Sequence, residues 1–126
     1  MFSAASPGYR GDVRAISRKE HAVVDYATAA TELVLPHLLP ASSGARRLLR
    51  FSGANAGVLG ALTKHELGLV KLVPMRLHLA LDGLLATTFL GAATLMRDEK
   101  PAVRGALAAL GVTGALAAAL TDPDKA

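Results

Sequence analysis

The chain has 126 residues, of which 52% are hydrophobic and 19% charged, and its net charge is +4. This length suits one domain, and the charged fraction is below the roughly 25% of soluble domains. Cysteine is absent, which excludes disulfides, thiolate metal sites and thiol nucleophiles. Nucleic acid is not an expected partner, because aromatic residues are few and no dense basic stripe accompanies the positive charge.

The charges gather in residues 10–20, 46–50, 64–76 and 97–104, and the segments between them are nearly all Ala, Leu, Gly and Val. This clustering predicts membrane spans joined by short loops. Residues 1–19 are polar and basic and are predicted to form a flexible N-terminal tail. Residues 20–39 form the first apolar segment, in which Asp25 and Glu32 are buried in the span and proline ends or kinks the last turn.

The second helix begins after a short turn at 41–45, where Ser42 or Ser43 can cap it, and runs to about Thr63. Its early arginines can extend to the headgroups. Small residues on one face allow helices to approach closely in a bilayer. The glycines predicted to pack in this way on the second and fourth helices are Gly53, Gly57, Gly60, Gly111 and Gly114.

Residues 64–76 are amphiphilic and predict a connection that lies along the membrane interface, with Pro74 marking its end. The third span covers 77–96, a charged turn follows at 97–101, and the fourth span covers 102–121. Residues 122–126 are a polar C-terminal tail. A soluble four-helix bundle is disfavoured, because residues 105–121 contain no charge to face water.

The two halves of the chain echo each other. His21 and Asp25 open the first span, and His78 and Asp82 open the third at an offset of 57 residues. At an offset of 58, Gly53 matches Gly111, and the Ala-Leu-Thr of 61–63 recurs at 119–121. We therefore predict an all-α, four-transmembrane-helix bundle built from two tandem helical-hairpin repeats, 20–66 and 77–121, within a membrane domain of residues 20–121.

Charge placement predicts the orientation of this multi-pass protein in the cell (inner) membrane. Eight basic residues lie on the side of the termini and the middle connection, against six on the other side. The positive-inside rule then places both termini in the cytoplasm. The expected partners are the lipid bilayer and further copies of the chain. The eight residues are Arg10, Arg14, Arg18, Lys19, Lys64, Lys71, Arg76 and Lys125.

Polar residues near one membrane face form the candidate site. Each His lies four residues before its Asp, so that the pair shares a helix face. The whole candidate polar cluster is His21, Asp25, Glu32, Asn55, His65, Glu66, His78 and Asp82. Within it, Glu32 lies deeper in the first span and should face the bundle interior, with Asn55 as its expected partner.

Three interpretations of this cluster stay open. The first is polar contacts that tie helices together, in a small, non-enzymatic accessory or structural membrane protein with no cofactor. The second is a metal site at His21, Asp25, His78 and Asp82, because imidazole with carboxylate suits zinc, iron or manganese, or a haem held between the two histidines. The third is a transporter or proton path through Asp25, Glu32 and Asp82. No residue is assigned a catalytic role.

The H-x-x-x-D at the head of each odd span, HAVVD and HLALD, and the junction LTKHELGLVKLVPMRLHLALD at 62–82 resemble the SPW repeat family of small bacterial integral membrane proteins. The likeness covers roughly residues 20–121. The Ser-Pro-Trp positions are occupied by Leu35-Pro36-His37 and Ala92-Ala93-Thr94. The resemblance implies a four-span membrane protein of unknown biochemical role and no mechanism.

Overall fold

A computed structural model describes residues 14–126, and this part of the chain contains four α-helices and no strand. The all-α prediction is confirmed. The predicted spans 20–39, 77–96 and 102–121 differ from the helices by no more than two residues at either end. The helices are α1 (Arg18–Leu38), α2 (Ser43–Ala61), α3 (Met75–Leu95) and α4 (Pro101–Leu120).

The helix ends follow from local capping chemistry. α1 begins with a capping box, in which the Ser17 side chain accepts from the Glu20 N–H and the Glu20 carboxylate accepts from the Ser17 N–H. Ser42 caps α2 by accepting from the Ala45 N–H, as one of the two predicted serines. α4 begins at Pro101, whose missing N–H costs nothing at a first helical position.

The ends of the chain and the middle connection meet at one end of the bundle, which we call the cluster end. Residues 1–13 of the predicted tail lie outside the described residues. From Ile16 onward the predicted tail is wrong, because Ile16 pairs with Thr121 and Arg18 already lies in α1. The C-terminal segment is not a free tail either, since Asp122 donates its N–H to the Ile16 carbonyl.

The connection between α2 and α3 is non-helical and is fixed by a bridge between Thr63 and Val73. The Tyr26 hydroxyl of α1 also donates to the Leu67 carbonyl, at 2.9 Å. Pro74 ends the connection as the N-terminal flanking residue of α3. The opposite end of the bundle, the turn end, is closed by Ser42, which donates its N–H and its hydroxyl to the Glu99 carboxylate.

α1 packs mainly against α2, and α3 packs mainly against α4. Glycine allows both close approaches. A Cβ on Gly53 would lie 3.0 Å from the Ala29 carbonyl oxygen, and one on Gly111 would lie 3.1 Å from that of Ala86. Backbone atoms cannot move aside easily, so both helix pairs depend on a missing side chain.

Two more of the predicted packing glycines lie at helix contacts and one does not. A Cβ on Gly60 would meet the Tyr26 ring at 3.3 Å, and one on Gly114 would meet Ala86 at 3.3 Å. The prediction for Gly57 is wrong, because a Cβ there would meet no atom within 4 Å.

The interior differs along the length of the bundle. Toward the turn end it is an apolar core to which all four helices or their flanking turns contribute. Toward the cluster end it is polar, with His21 and His78 fully buried. The buried members of the apolar core are Ala41, Ala45, Leu49, Phe89, Val103 and Leu107.

α3 and α4 are long and apolar enough to cross a membrane, with mean hydropathies of 1.3 and 1.7 over an 18-residue window. Only 22% and 28% of these windows are buried inside the bundle. The same test does not select α1 or α2. Two membrane-compatible helices therefore stand out by length and composition.

Candidate functional site

The two predicted His/Asp pairs come together at the cluster end. His21 and Asp25 lie on one face of α1, and His78 and Asp82 lie on one face of α3, because residues four apart are one helical turn apart. One ligand atom from each of the four side chains lies within 4.8 Å of all the others. We call these four residues the His/Asp cluster.

Each carboxylate in the cluster contacts both imidazoles. The His21 Nε2 lies 2.7 Å from Asp82 Oδ2 and 3.2 Å from Asp25 Oδ1. The His78 Nε2 lies 2.6 Å from Asp25 Oδ2 and 3.1 Å from Asp82 Oδ2. In both cases the shorter contact joins α1 to α3, so the cluster links the two helix pairs more closely than it links residues of one helix.

Threonines at the ends of α2 and α4 hold the other side of each imidazole. The His78 Nδ1 lies 2.6 Å from Thr63 Oγ1, and the His21 Nδ1 lies 2.8 Å from Thr121 Oγ1. Each threonine hydroxyl donates its one proton to the helix carbonyl four residues earlier. The hydroxyls can therefore only accept from the imidazoles, which means that both Nδ1 atoms carry hydrogen.

This arrangement determines what the two Nε2 atoms can do. With Nδ1 protonated, a neutral imidazole presents the bare Nε2 lone pair to the carboxylates, which is unfavourable unless a cation lies between them. The alternative is an imidazolium ring that donates from Nε2 to a carboxylate. The cluster therefore requires either a bound cation or two charged histidines.

The cluster is shielded from solvent and balanced in charge. The histidine side chains are 0–1% exposed, and those of Asp25 and Asp82 are 13% and 17% exposed. Two buried carboxylates need two positive charges nearby. One divalent cation or two imidazolium rings supply that charge equally well.

His65 and Glu66 were predicted to join the cluster, and only His65 lies near it. The His65 ring centre is 6.0 Å from that of His78. Burial lowers the pKa of His65, and neither ring nitrogen has a hydrogen-bond partner within residues 14–126. The prediction for Glu66 is wrong, because its carboxylate turns to the surface and accepts from Arg18 at 2.8 Å.

Glu32 lies deeper along α1, as predicted, and is 2% exposed. The expected partner Asn55 is wrong, since that residue is exposed on α2. The buried hydroxyl beside Glu32 belongs to Ser52 instead. Position 52 lies one turn earlier on α2 than the depth from which the partner was inferred.

A cavity of about 40 Å³ lies between the His/Asp cluster and the apolar core. Its polar lining comes from Asp25, Thr28 and Glu32 of α1, Asp82 of α3 and Thr113 of α4. Glu32 thus faces the same interior space as the two cluster carboxylates without belonging to the cluster.

Thr63 and Thr121 are the functional residues that the prediction missed. The recurrence of Ala-Leu-Thr at an offset of 58 residues carried the signal. It was interpreted as an echo between helices and not as a partner for the histidines. The offset of 57 between His21 and His78 could have joined the two observations.

Comparison of the chain with protein-family models, with curated proteins and with solved structures finds no match. The resemblance to the SPW repeat family therefore stays a prediction. The site is interpreted below from its own geometry.

Proposed function

We propose that the chain is a four-span integral membrane protein, built from two related helical hairpins, that binds one divalent transition-metal ion at the His/Asp cluster. Both termini lie on the cytoplasmic side. The protein is not an enzyme in this proposal, and the metal joins the two hairpins. The observation that carries it is the commitment of both Nδ1–H groups to threonine, which leaves two Nε2 atoms and two carboxylates directed at one point.

The membrane part of the proposal rests on apolar surface that the bundle leaves uncovered. A core helix of a soluble protein is mostly buried, whereas more than two thirds of the apolar windows of α3 and α4 are not. α1 has a lower hydropathy because of its acidic residues, yet Asp25 and Glu32 face the interior. The large apolar side chains exposed on α1 and α2 are Val23, Leu33, Val34, Leu38, Phe51 and Val58.

These exposed side chains form a surface that a bilayer covers without cost, whereas water does not. The arginines in the first turns of α2 are exposed at the turn end. Their stems are long enough to reach the headgroups from there. Lipid is therefore the proposed partner of all four helices.

The metal part of the proposal rests on ligand type and on the surrounding hydrogen bonds. Two imidazoles and two carboxylates suit zinc and other first-row divalent ions. Histidines that bind metals usually donate their second N–H to a fixed acceptor, and Thr63 and Thr121 are such acceptors. Tetrahedral zinc places its ligand atoms about 3.3 Å apart, so the two shortest contacts must open by about 0.7 Å.

A purely structural ion-pair cluster is the second candidate. The two short contacts, 2.6 Å and 2.7 Å, suit charge-assisted hydrogen bonds from imidazolium to carboxylate. In that case His21 and His78 join the hairpins without a ligand. This is the non-enzymatic structural role expected from the sequence.

The other two sequence-based alternatives fit less well. A haem needs far more room than the cavity of about 40 Å³ provides. A path across the membrane has to pass the apolar core at the turn end, where Leu49, Phe89 and Leu107 are almost fully buried. The polar interior therefore ends partway through the bundle.

Elemental analysis of the detergent-purified protein tests the proposal directly. We expect close to one zinc, iron or manganese ion per chain in the wild type and none in the His21→Ala/His78→Ala double variant. His37→Ala is the matched control, because His37 is exposed near the turn end. Absence of metal from the wild type, before and after incubation with each ion, would leave the structural ion-pair cluster as the function of these residues.

A further inference from the structure

One buried carboxylate has no counter-charge in the His/Asp cluster. Glu32 is 2% exposed, and its Oε2 has no hydrogen-bond partner within residues 14–126. An unpartnered carboxylate is costly inside a protein or a bilayer. Something that is not part of the described chain must therefore satisfy this oxygen.

The cavity beside Glu32 is large enough to hold what is missing. At about 40 Å³ it has room for roughly three water-sized particles, since each needs about 10–15 Å³. Apolar residues such as Leu85 and Phe89 form the rest of the wall. The polar oxygens are therefore concentrated on the side that faces Glu32 and the cluster carboxylates.

Two threonines on this wall behave differently from the other threonines within the helices. Four of those on α1 and α3 donate their hydroxyls to the carbonyl four residues earlier, namely Thr31, Thr87, Thr88 and Thr94. Thr28 and Thr113 make no such bond within residues 14–126, and both line the cavity. Their hydroxyl oxygens are thus free to act as ligands there.

We propose that this cavity is a second site, separate from the His/Asp cluster, that binds a small monovalent cation such as Na⁺ through Glu32, Thr28 and Thr113. Donors that are all oxygen suit hard cations. The two cluster carboxylates are already balanced by the histidines or by a metal, so one negative charge remains in the cavity. A monovalent ion with one or two waters matches both the charge and the volume.

The proposal also accounts for a difference between the two hairpins. Phe89 stands on α3 at an offset of 57 residues from Glu32, and it is 2% exposed. An apolar ring here fills the space that a second carboxylate and its ion would need. The cation site is therefore single, and it does not depend on what occupies the His/Asp cluster.

Thermal unfolding of the purified protein in detergent tests this site. The chloride salts of Na⁺ and choline are compared at constant ionic strength, because choline is too large for the cavity. We expect the Tm of the wild type to rise with Na⁺, by about 4 °C or more at concentrations well above the Kd. Glu32→Gln should abolish the rise while leaving the metal content of the His/Asp cluster unchanged.

Glu66→Gln is the matched control, because it removes an exposed carboxylate and should leave the Na⁺ response intact. If Glu32→Gln does not fold, Thr28→Val/Thr113→Val keeps the carboxylate and should raise the Na⁺ concentration for half-maximal response at least tenfold. Equal Tm values in Na⁺ and choline for the wild type overturn the proposal. An undiminished Na⁺ response in both cavity variants overturns it as well.

Discussion

The helix pair α1–α2 and the pair α3–α4 make the same contacts at their ends and different contacts in the middle. Each supplies a His/Asp pair from its first helix, a threonine from the end of its second helix, and a glycine that lets the two helices approach. They differ at Glu32, which borders a polar cavity, and Phe89, which joins the apolar core. The matched residues are His21 and His78, Asp25 and Asp82, Thr63 and Thr121, and Gly53 and Gly111.

The matched contacts cross between the two pairs. Thr63 ends the first pair and holds His78 of the second, while Thr121 ends the second pair and holds His21 of the first. Neither pair can complete a cluster alone. The repeated sequence elements therefore specify a contact between hairpins, and the unrepeated Glu32 specifies what lies beneath it.

The largest expected effect comes from removing one histidine from this exchange. His21→Ala and His78→Ala should each lower the free energy of unfolding by about 3–5 kcal/mol, because each leaves buried carboxylates without a counter-charge. The two losses should be equal, and the double variant should lose less than their sum. Denaturant unfolding in detergent measures this, with His37→Ala as control. A large loss for one histidine and none for the other would show that the two pairs are not equivalent.

The threonines test the same equivalence one step further out. Thr63→Val and Thr121→Val keep the shape of the side chain but leave a buried Nδ1–H without an acceptor. We expect each to cost about 1.5–3 kcal/mol, the range for hydrogen bonds to charged groups. Thr31→Val is the control, because that hydroxyl bonds only to its own helix. Losses no larger than that of the control would mean that the threonines do not orient the imidazoles.

If the cluster holds a metal, the same two variants should also weaken metal binding by about 10–100-fold, as changes to the hydrogen-bond partners of ligands do. Competition with a chelator of known affinity measures this. A structural ion-pair cluster predicts the stability loss without any metal to lose.

Much of this fold could be predicted because local signals at the helix ends are strong. The serine at 42 and the prolines at 74 and 101 mark starts that the structure confirms. The tails were predicted wrongly from Ile16 onward, because the backbone bonds that fix them join residues about a hundred positions apart. No local pattern reports such pairing.

The candidate site could be predicted only as far as helical periodicity reaches. The i, i+4 spacing brought each His to its Asp, and the internal echo brought the two pairs together. Asn55 and Glu66 were assigned by depth along the helix, which does not give the direction of a side chain around the helix axis. The structure turns Asn55 outward and replaces it with Ser52, a rotation that depends on how α2 packs against α1.

The glycine contacts compare the interior of each pair. Gly53→Ala and Gly111→Ala should each cost about 1–3 kcal/mol, because the new Cβ meets a backbone carbonyl of the facing helix at 3.0 or 3.1 Å. Gly57→Ala and Gly91→Ala are controls with open space around them and should be neutral or stabilising by about 0.4–1 kcal/mol. Similar results for all four variants would contradict the close approach of either helix pair.

The smallest expected effect concerns two surface ion pairs at the cluster end. Arg18 with Glu66 and Arg76 with Asp124 both lie at 2.8 Å, but the first pair is 26–31% exposed and the second 65–69%. Glu66→Gln should cost less than about 1 kcal/mol and Asp124→Asn nothing measurable, because water screens exposed pairs.

The pH dependence separates this ion pair from a packing effect of the same size. The hydrogen bond from Arg18 lowers the pKa of Glu66 in the folded protein, so the unfolded chain binds the proton more readily. Its contribution to stability is complete above the ordinary glutamate pKa of about 4.3 and is lost as the pH falls through the folded-state pKa. The stability difference between wild type and Glu66→Gln should thus shrink on acidification from pH 7 to 3. A difference that is constant over this range would assign the effect of Glu66 to packing rather than to charge.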